Sequence, residues 1–245
     1  MRRSTFLVIA GIFLLASGLM YFIHYLIFRD VHYIFLYLIG DLAFLPLEVF
    51  LVVIVIERIL NQREKQSQFQ KLNMVIGAFF SEVGNQLLTD LLPYIDNSDN
   101  IKHNLAVSID WTSHDFKNAM AFTRSISGEV NYRDIDMDTL KGFLVQRRQF
   151  LLRMLENPNL LEHDRFTDLL WSIFHLTEEL EMRPSLTNLP QKDLEHIAGD
   201  IKRAYSFLLV EWIYYVEHLK KNYPFLFSLV SRTHPFQDHP SPIVT

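Results

Sequence analysis

The sequence predicts an all-α membrane protein: a two-helix transmembrane hairpin, then a helical stalk and a cytosolic helical bundle. Three observations predict it. Residues 5–28 and 33–56 are almost wholly apolar, and each run exceeds the ~20 residues needed to cross ~30 Å of hydrocarbon. Beyond residue 56, apolar residues recur every three or four positions, the helical period, and no long run alternates as a strand does. Glycine is sparse in that part, at Gly77, Gly84, Gly128, Gly142 and Gly199.

A mean hydropathy of +0.10 therefore averages two unlike compositions. Backbone groups in lipid must bond within their own segment, so both apolar runs are expected as helices. Arg2 and Arg3 precede the first run as they would in a signal peptide. Its apolar length exceeds the ~7–15 residues of a signal core, which makes it an uncleaved anchor. Arg2 and Arg3 lie before the first span; Arg58, Arg63, Lys65 and Lys71 follow the second; Arg29 alone lies between them. This bias places both termini in the cytoplasm, with an external turn over 29–32, in the cell (inner) membrane. Tyr21, Tyr25, Tyr33 and Tyr37 gather near that outer end as an aromatic belt would.

The elements of residues 57–245 follow in order. A polar helical stalk covers 57–71, rich in Gln, Glu, Lys and Arg. The bundle spans 72–232. Its helices are expected at about 72–92, stopping before Pro93; 101–111; 113–127, with Ser113 as N-cap; 136–156; and 162–182, stopping before Pro184. The last long helix begins with Pro190 in its first turn. It carries one stripe of Leu194, Ile197, Ile201, Tyr205, Leu208, Trp212, Val216 and Leu219, and ends at Asn222 and Pro224 after Lys220 and Lys221. A short apolar piece covers 225–230. Residues 233–245, with Pro235, Pro240 and Pro242, are expected as a disordered tail.

Residues 72–84, Leu-Asn-Met-Val-Ile-Gly-Ala-Phe-Phe-Ser-Glu-Val-Gly, and the Tyr-Pro-Phe-Leu-Phe-Ser-Leu that opens 223–236 resemble uncharacterised prokaryotic membrane proteins with two transmembrane helices and a helical cytosolic domain. The resemblance implies that same architecture. It implies no activity and no site residues.

Within the second span stand Asp41 and Glu48, with Pro46 between them. A carboxylate at bilayer depth costs a few kcal/mol on insertion scales, at least ~2.5 kcal/mol for Asp, so each needs a partner or a use. Seven residues apart, they share a helix face, about 10 Å apart along the axis. Pro46 removes a backbone bond and can kink the helix. His24 lies at a depth from which it could pair with Asp41 across the hairpin. Glu48 faces only Leu14, Leu15, Ala16 and Ser17 on the first helix. It must be protonated, meet water or find a partner in another subunit. In a homo-oligomer the two acids would form stacked carboxylate rings, a common device for attracting cations. Two structural readings stand beside this one: protonated acids bonding neighbouring helices, and Glu48 reaching headgroups through local thinning.

A second constellation lies on the cytosolic helices. His175 with Glu178 and Glu179, and His196 with Asp200, have helical spacing that lets two side chains share a metal, and Glu211 and His218 follow on the same face as His196 and Asp200. The Glu-x-x-His order of bundle metal sites is absent, and these residues flank the apolar stripes. They read as solvated or boundary side chains, so no metal and no cofactor is expected. Phe79, Phe80, Trp111, Trp171, Phe174, Trp212, Tyr214 and Tyr215 read as core or helix-interface residues. Gly77 and Gly84 read as points where another backbone could approach.

No catalytic residue is assigned, because the phosphate-binding, zinc-protease and nucleophile-elbow motifs are all missing. The net charge of −5 belongs entirely to residues 57–245, since three bases offset three acids before that. An acidic domain argues against nucleic acid as a partner. Cysteine is absent, which excludes disulfides and thiol chemistry. The expected partners are the lipid bilayer, further copies of the chain and a cytosolic protein. Three functions remain open: an oligomeric cation or proton pathway regulated by the cytosolic domain, a membrane-anchored sensor or scaffold without transport, and an unrecognised enzyme, the least favoured.

Overall fold

The computed structural model describes residues 3–126, 128–158, 160 and 163–244, with side chains described from residue 8 onward except at 61 and 63–72. The described residues form helices and no strand, and the chain divides into two compact units, Met1–Lys65 and Gln66–Thr245.

The first unit holds α1 (Arg3–Phe28) and most of α2 (Val31–Phe79). Two stretches, Val8–Phe28 and Val31–Leu60, are long and apolar enough to cross a membrane, and their side chains are exposed. Between the helices Arg29 adopts a left-handed backbone, φ 48°, which stops α1. Asp30 then starts α2, its Oδ1 accepting the His32 N–H at 2.8 Å as an N-cap. The reversal takes two residues, where four were expected. Pro46 lies inside α2 without ending it.

The backbone of α2 stays helical through 57–71 and on to Phe79, so no break separates stalk from domain at residue 72; the polar side chains assigned to the stalk lie mostly outside the described residues. The break comes instead as a π-helical turn, Phe80–Gly84, followed by α3 (Asn85–Leu91) and a 3-10 turn at Leu92–Tyr94. Gly84 is needed there. A Cβ at that position would stand 2.5 Å from Cδ1 of Phe80, itself fully buried. Gly77 faces the Tyr215 ring, 3.5 Å from where its Cβ would be. Both glycines thus admit aromatic rings rather than a second backbone.

The second unit continues with α4 (Ser98–Leu105), α5 (Ser113–Ser125), α6 (Met137–Leu155), α7 (Asp164–Met182), α8 (Gln191–Asn222) and α9 (Pro224–Thr233). Local sequence explains most boundaries. Thr112, not Ser113, caps α5: its N–H donates to Asp115 Oδ2 at 2.6 Å in a capping box. Asp136 caps α6 by accepting from Thr139 N–H at 3.0 Å. Pro190 is the N-cap of α8 rather than its first-turn residue. The helix expected to reach residue 111 ends at Leu105, where Ala106 leaves helical geometry.

The spine is α8, 32 residues long, onto which α3, α5, α7 and α9 pack. Of its predicted stripe, all but Leu194 is fully buried. Phe79, Phe80, Phe166 and Tyr215 form an aromatic knot: Phe79 meets Phe166 edge-on at 5.3 Å, and Phe80 stacks on Tyr215 at 5.1 Å. Trp171 departs from its expected core role and is 56% exposed.

The tail departs further. Residues 233–245 were expected as disordered, yet His234 and Phe236 are buried. The Phe236 ring packs edge-on against Trp212 at 4.8 Å, and Arg232 donates to the Pro242 carbonyl at 2.6 Å. Proline content forbids helix here, but it does not forbid two side chains from completing the core around Trp212.

Candidate functional site

Asp41 and Glu48 lie seven residues apart on α2, both exposed and, among the described residues, without hydrogen bond or ion pair. His24 is half-buried and packs on Phe28 at 4.7 Å, with its Nδ1 unpartnered. The expected His24–Asp41 pair is therefore not formed within this chain. The physical reason is the loose arrangement of the two spans: nothing approaches within 4 Å of where a Cβ at Gly11, Gly18 or Gly40 would stand. Pro46 sits between the two acids as expected.

The second constellation is drawn together more tightly than its spacing implied. On α7, His175 and Glu179 lie one turn apart; on α8, His196, Asp200 and Arg203 do the same. Packing of α7 on α8 brings the two sets into contact. Asp200 is 2% exposed, and its Oδ2 lies 3.5 Å from both His175 Nε2 and His196 Nε2. Its Oδ1 accepts from Arg203 Nη1 at 2.8 Å. Glu179 stands beside them, 3.9 Å from His175 Nε2 and 3.8 Å from His196 Nε2.

Arg183, just past α7, ties this corner to the start of α8. It donates to Asp193 Oδ1 at 2.7 Å and to Glu179 Oε2 at 2.7 Å. The Arg183 hydrogen bonds hold the carboxyls of both Glu179 and Asp193 below their usual range. The same bond to Asp193 pushes the guanidinium further toward its charged form.

Three turns along α8, Glu211 is also buried, with Oε1 3.1 Å from Arg165 Nε on α7. Burial pushes its carboxyl up to about 7, against the opposing pull of Arg165. His234 is fully accounted for: its Nδ1 accepts the Phe236 N–H at 3.1 Å, so its Nε2–H donates to the Val107 carbonyl at 3.1 Å. Burial holds this imidazole down at about 4.

Comparison with known proteins places this architecture. A family described as the C-terminal helical domain of the uncharacterised protein MJ1433 matches residues 68–232, and one described as the N-terminal helical domain of MJ1433 matches residues 2–60. The chain belongs to the MJ1433 family. It is 43% identical over 232 residues to the uncharacterised protein MJ1433 of Methanocaldococcus jannaschii, covering 95% of this chain and 93% of that protein. No solved structure matches. The boundary between the two family domains falls in the long helix α2, close to the division between the two compact units.

In this MJ1433-family chain, Asp200 and Glu211 correct the expectation of boundary or solvated side chains. Both are buried, because the face of α8 that carries them is covered by α7. A signal for this was present in the sequence. Asp200 follows Ile197 by three and precedes Ala204 by four; Glu211 follows Leu208 by three and precedes Tyr215 by four. Both acids therefore fall on the helical period of the buried face itself. His175 and His196 remain about half exposed, at the rim of the α7–α8 contact.

Proposed function

We propose that this chain is a multi-pass membrane protein with both termini in the cytoplasm. Copies of it assemble through α2 and form a pathway for a cation or proton along Asp41 and Glu48. The helical domain regulates that pathway from the cytoplasm. One observation carries the reading: two unpartnered carboxylates on one face of a span, residues 33–56 of α2, that is otherwise apolar and almost wholly exposed. Left facing lipid, each charged acid would cost a few kcal/mol, at least ~2.5 kcal/mol for Asp41. Two helices cannot enclose a pore, whereas several copies of α2 would stack the acids as rings around shared water. Pro46, between the rings, supplies a point where the helix can bend.

The test is cation flux from liposomes carrying the purified chain, compared with Glu48→Gln and Asp41→Asn. Flux that responds to voltage or pH, and falls in Glu48→Gln, is expected. Absence of flux, or flux indifferent to both changes, overturns the pathway. A strict monomer in detergent overturns it equally.

A second reading, a membrane-anchored sensor or scaffold for a cytosolic protein, draws on α9. Phe225 is 72% exposed on that helix, and Leu226 and Leu229 are exposed beside it. This reading expects one cytosolic protein to cross-link to the wild type in cells and not to a Phe225→Ser/Leu229→Ser variant. Equal cross-linking in both would refute it.

A further inference from the structure

We propose that His175 Nε2, His196 Nε2 and Asp200 Oδ2 form a binding site for a divalent transition-metal ion of the zinc class, at the rim of the α7–α8 contact. The three atoms lie within 4.8 Å of one another. Both imidazole nitrogens are 3.5 Å from the same carboxylate oxygen. Around a tetrahedral Zn²⁺ with bonds of about 2.0–2.1 Å, donor atoms stand roughly 3.3–3.4 Å apart, so small side-chain shifts complete the set.

The independent mark of a ligand is Asp200 itself. Its side chain is 2% exposed, and Oδ2 has no hydrogen-bond partner although it points between two imidazoles. A buried carboxylate oxygen left without a donor carries an uncompensated desolvation penalty. Oδ1, by contrast, is held by Arg203 at 2.8 Å. That bond fixes the carboxylate plane and leaves the other oxygen for the ion, the usual role of an outer partner in a metal site. Two imidazoles with one carboxylate form a nitrogen–oxygen donor set that suits zinc, iron, cobalt or nickel and is too nitrogen-rich for calcium or magnesium.

Glu179 is the nearest further donor, but Arg183 holds its Oε2 at 2.7 Å. With three protein ligands and two half-exposed rings, the remaining coordination position faces solvent. The ion would pin α7 to α8 near their connection, where Arg183 already bridges the two. This site lies wholly within the helical domain and is independent of any pathway through α2.

The test uses the untagged full-length chain in detergent, stripped with chelator and titrated with ZnCl₂ by calorimetry. One Zn²⁺ per chain is expected. His175→Gln and His196→Gln, both at half-exposed positions that spare the core, should each weaken binding by at least about tenfold, since even outer-shell losses have that effect. Substituted Co²⁺ should give the intense visible absorption of a four-coordinate site. No stoichiometric Zn²⁺ uptake by the wild type overturns the proposal. Uptake unchanged in both variants, or only the weak spectrum of hydrated Co²⁺, overturns it as well.

Discussion

Glu211 and Arg165 pair across the α7–α8 contact at 3.1 Å, with the carboxylate buried and the guanidinium half exposed above the Tyr214 ring, 3.7 Å from its centroid. The cation is stabilised by the ring face and by solvent. The anion has neither, which is why burial outweighs Arg165 and raises its carboxyl to about 7, from 4.5 in the unfolded chain. Between about pH 4.5 and 7 the folded state keeps a proton that the unfolded state has released. Stability contributed by this group is therefore present at low pH and lost as pH rises through that window. Glu211→Gln removes the loss. Its stability relative to wild type should grow by up to about 3 kcal/mol from pH 4.5 to pH 7. Urea unfolding followed by tryptophan fluorescence reads this directly, because Trp111, Trp171 and Trp212 all lie in the second unit. A difference that stays constant across pH would refute the assignment.

His234 tilts the other way. Its imidazole titrates near 4 when folded and near 6.5 when unfolded. Protonation would place a hydrogen on Nδ1, against the Phe236 N–H that now donates to it. Below about pH 6.5 the unfolded chain takes up a proton that the folded chain refuses, so stability falls as pH drops toward 4, by up to about 3 kcal/mol. His234→Gln should lower stability at neutral pH and abolish this acid loss. The two groups oppose each other between about pH 4.5 and 6.5. Relative to wild type, the two single variants should therefore slope in opposite directions across that window.

Phe236→Ala should cost about 3–5 kcal/mol, the usual range for emptying a buried aromatic site. The ring is 2% exposed and meets Trp212 at 4.8 Å. The urea midpoint of the variant checks this, and a midpoint equal to wild type would mean that the segment after Thr233 adds nothing to the core.

Two glycine-to-alanine changes should have opposite signs. Gly84→Ala drives a methyl group to 2.5 Å from Phe80, whose ring is fully buried and cannot yield, and should destabilise by about 1–3 kcal/mol. Gly142 lies inside α6 with nothing within 4 Å of its missing Cβ. Gly142→Ala should stabilise by up to about 1 kcal/mol through helix propensity alone. Thermal melts of both variants decide the matter.

Much of the architecture was legible before the structure. Length and near-continuous apolarity identify two helices long enough for a bilayer. Proline, capping residues and the three-to-four period locate α6, α7 and α8 to within a few residues. These signals are local: a cap, a period or a stop involves residues within one or two turns of each other. The π turn at Phe80–Gly84 was not legible, because the Phe79 and Phe80 rings that crowd Gly84 are themselves held by Phe166 on α7 and Tyr215 on α8. The order of the tail was not legible for the same reason, since it comes from Trp212 on α8 and Val107 before α5.

The candidate sites divide along the same line. Asp41 and Glu48 stand out in sequence alone, because a charged residue inside an apolar span is conspicuous by its neighbours. Asp200 falls on the helical period of the buried face of α8, but its role as a desolvated acid between two imidazoles arises only once α7 covers that face. Spacing placed His196 and Asp200 on one face, but it could not say that His175 would arrive from another helix or that Arg203 would occupy one carboxylate oxygen and leave the other bare. Periodicity decides which helices form and which face they bury; the packing of α7 on α8 decides which polar side chains are desolvated and brought within 3.5 Å. Desolvation and proximity are properties of the assembled contact and are not encoded in either helix by itself.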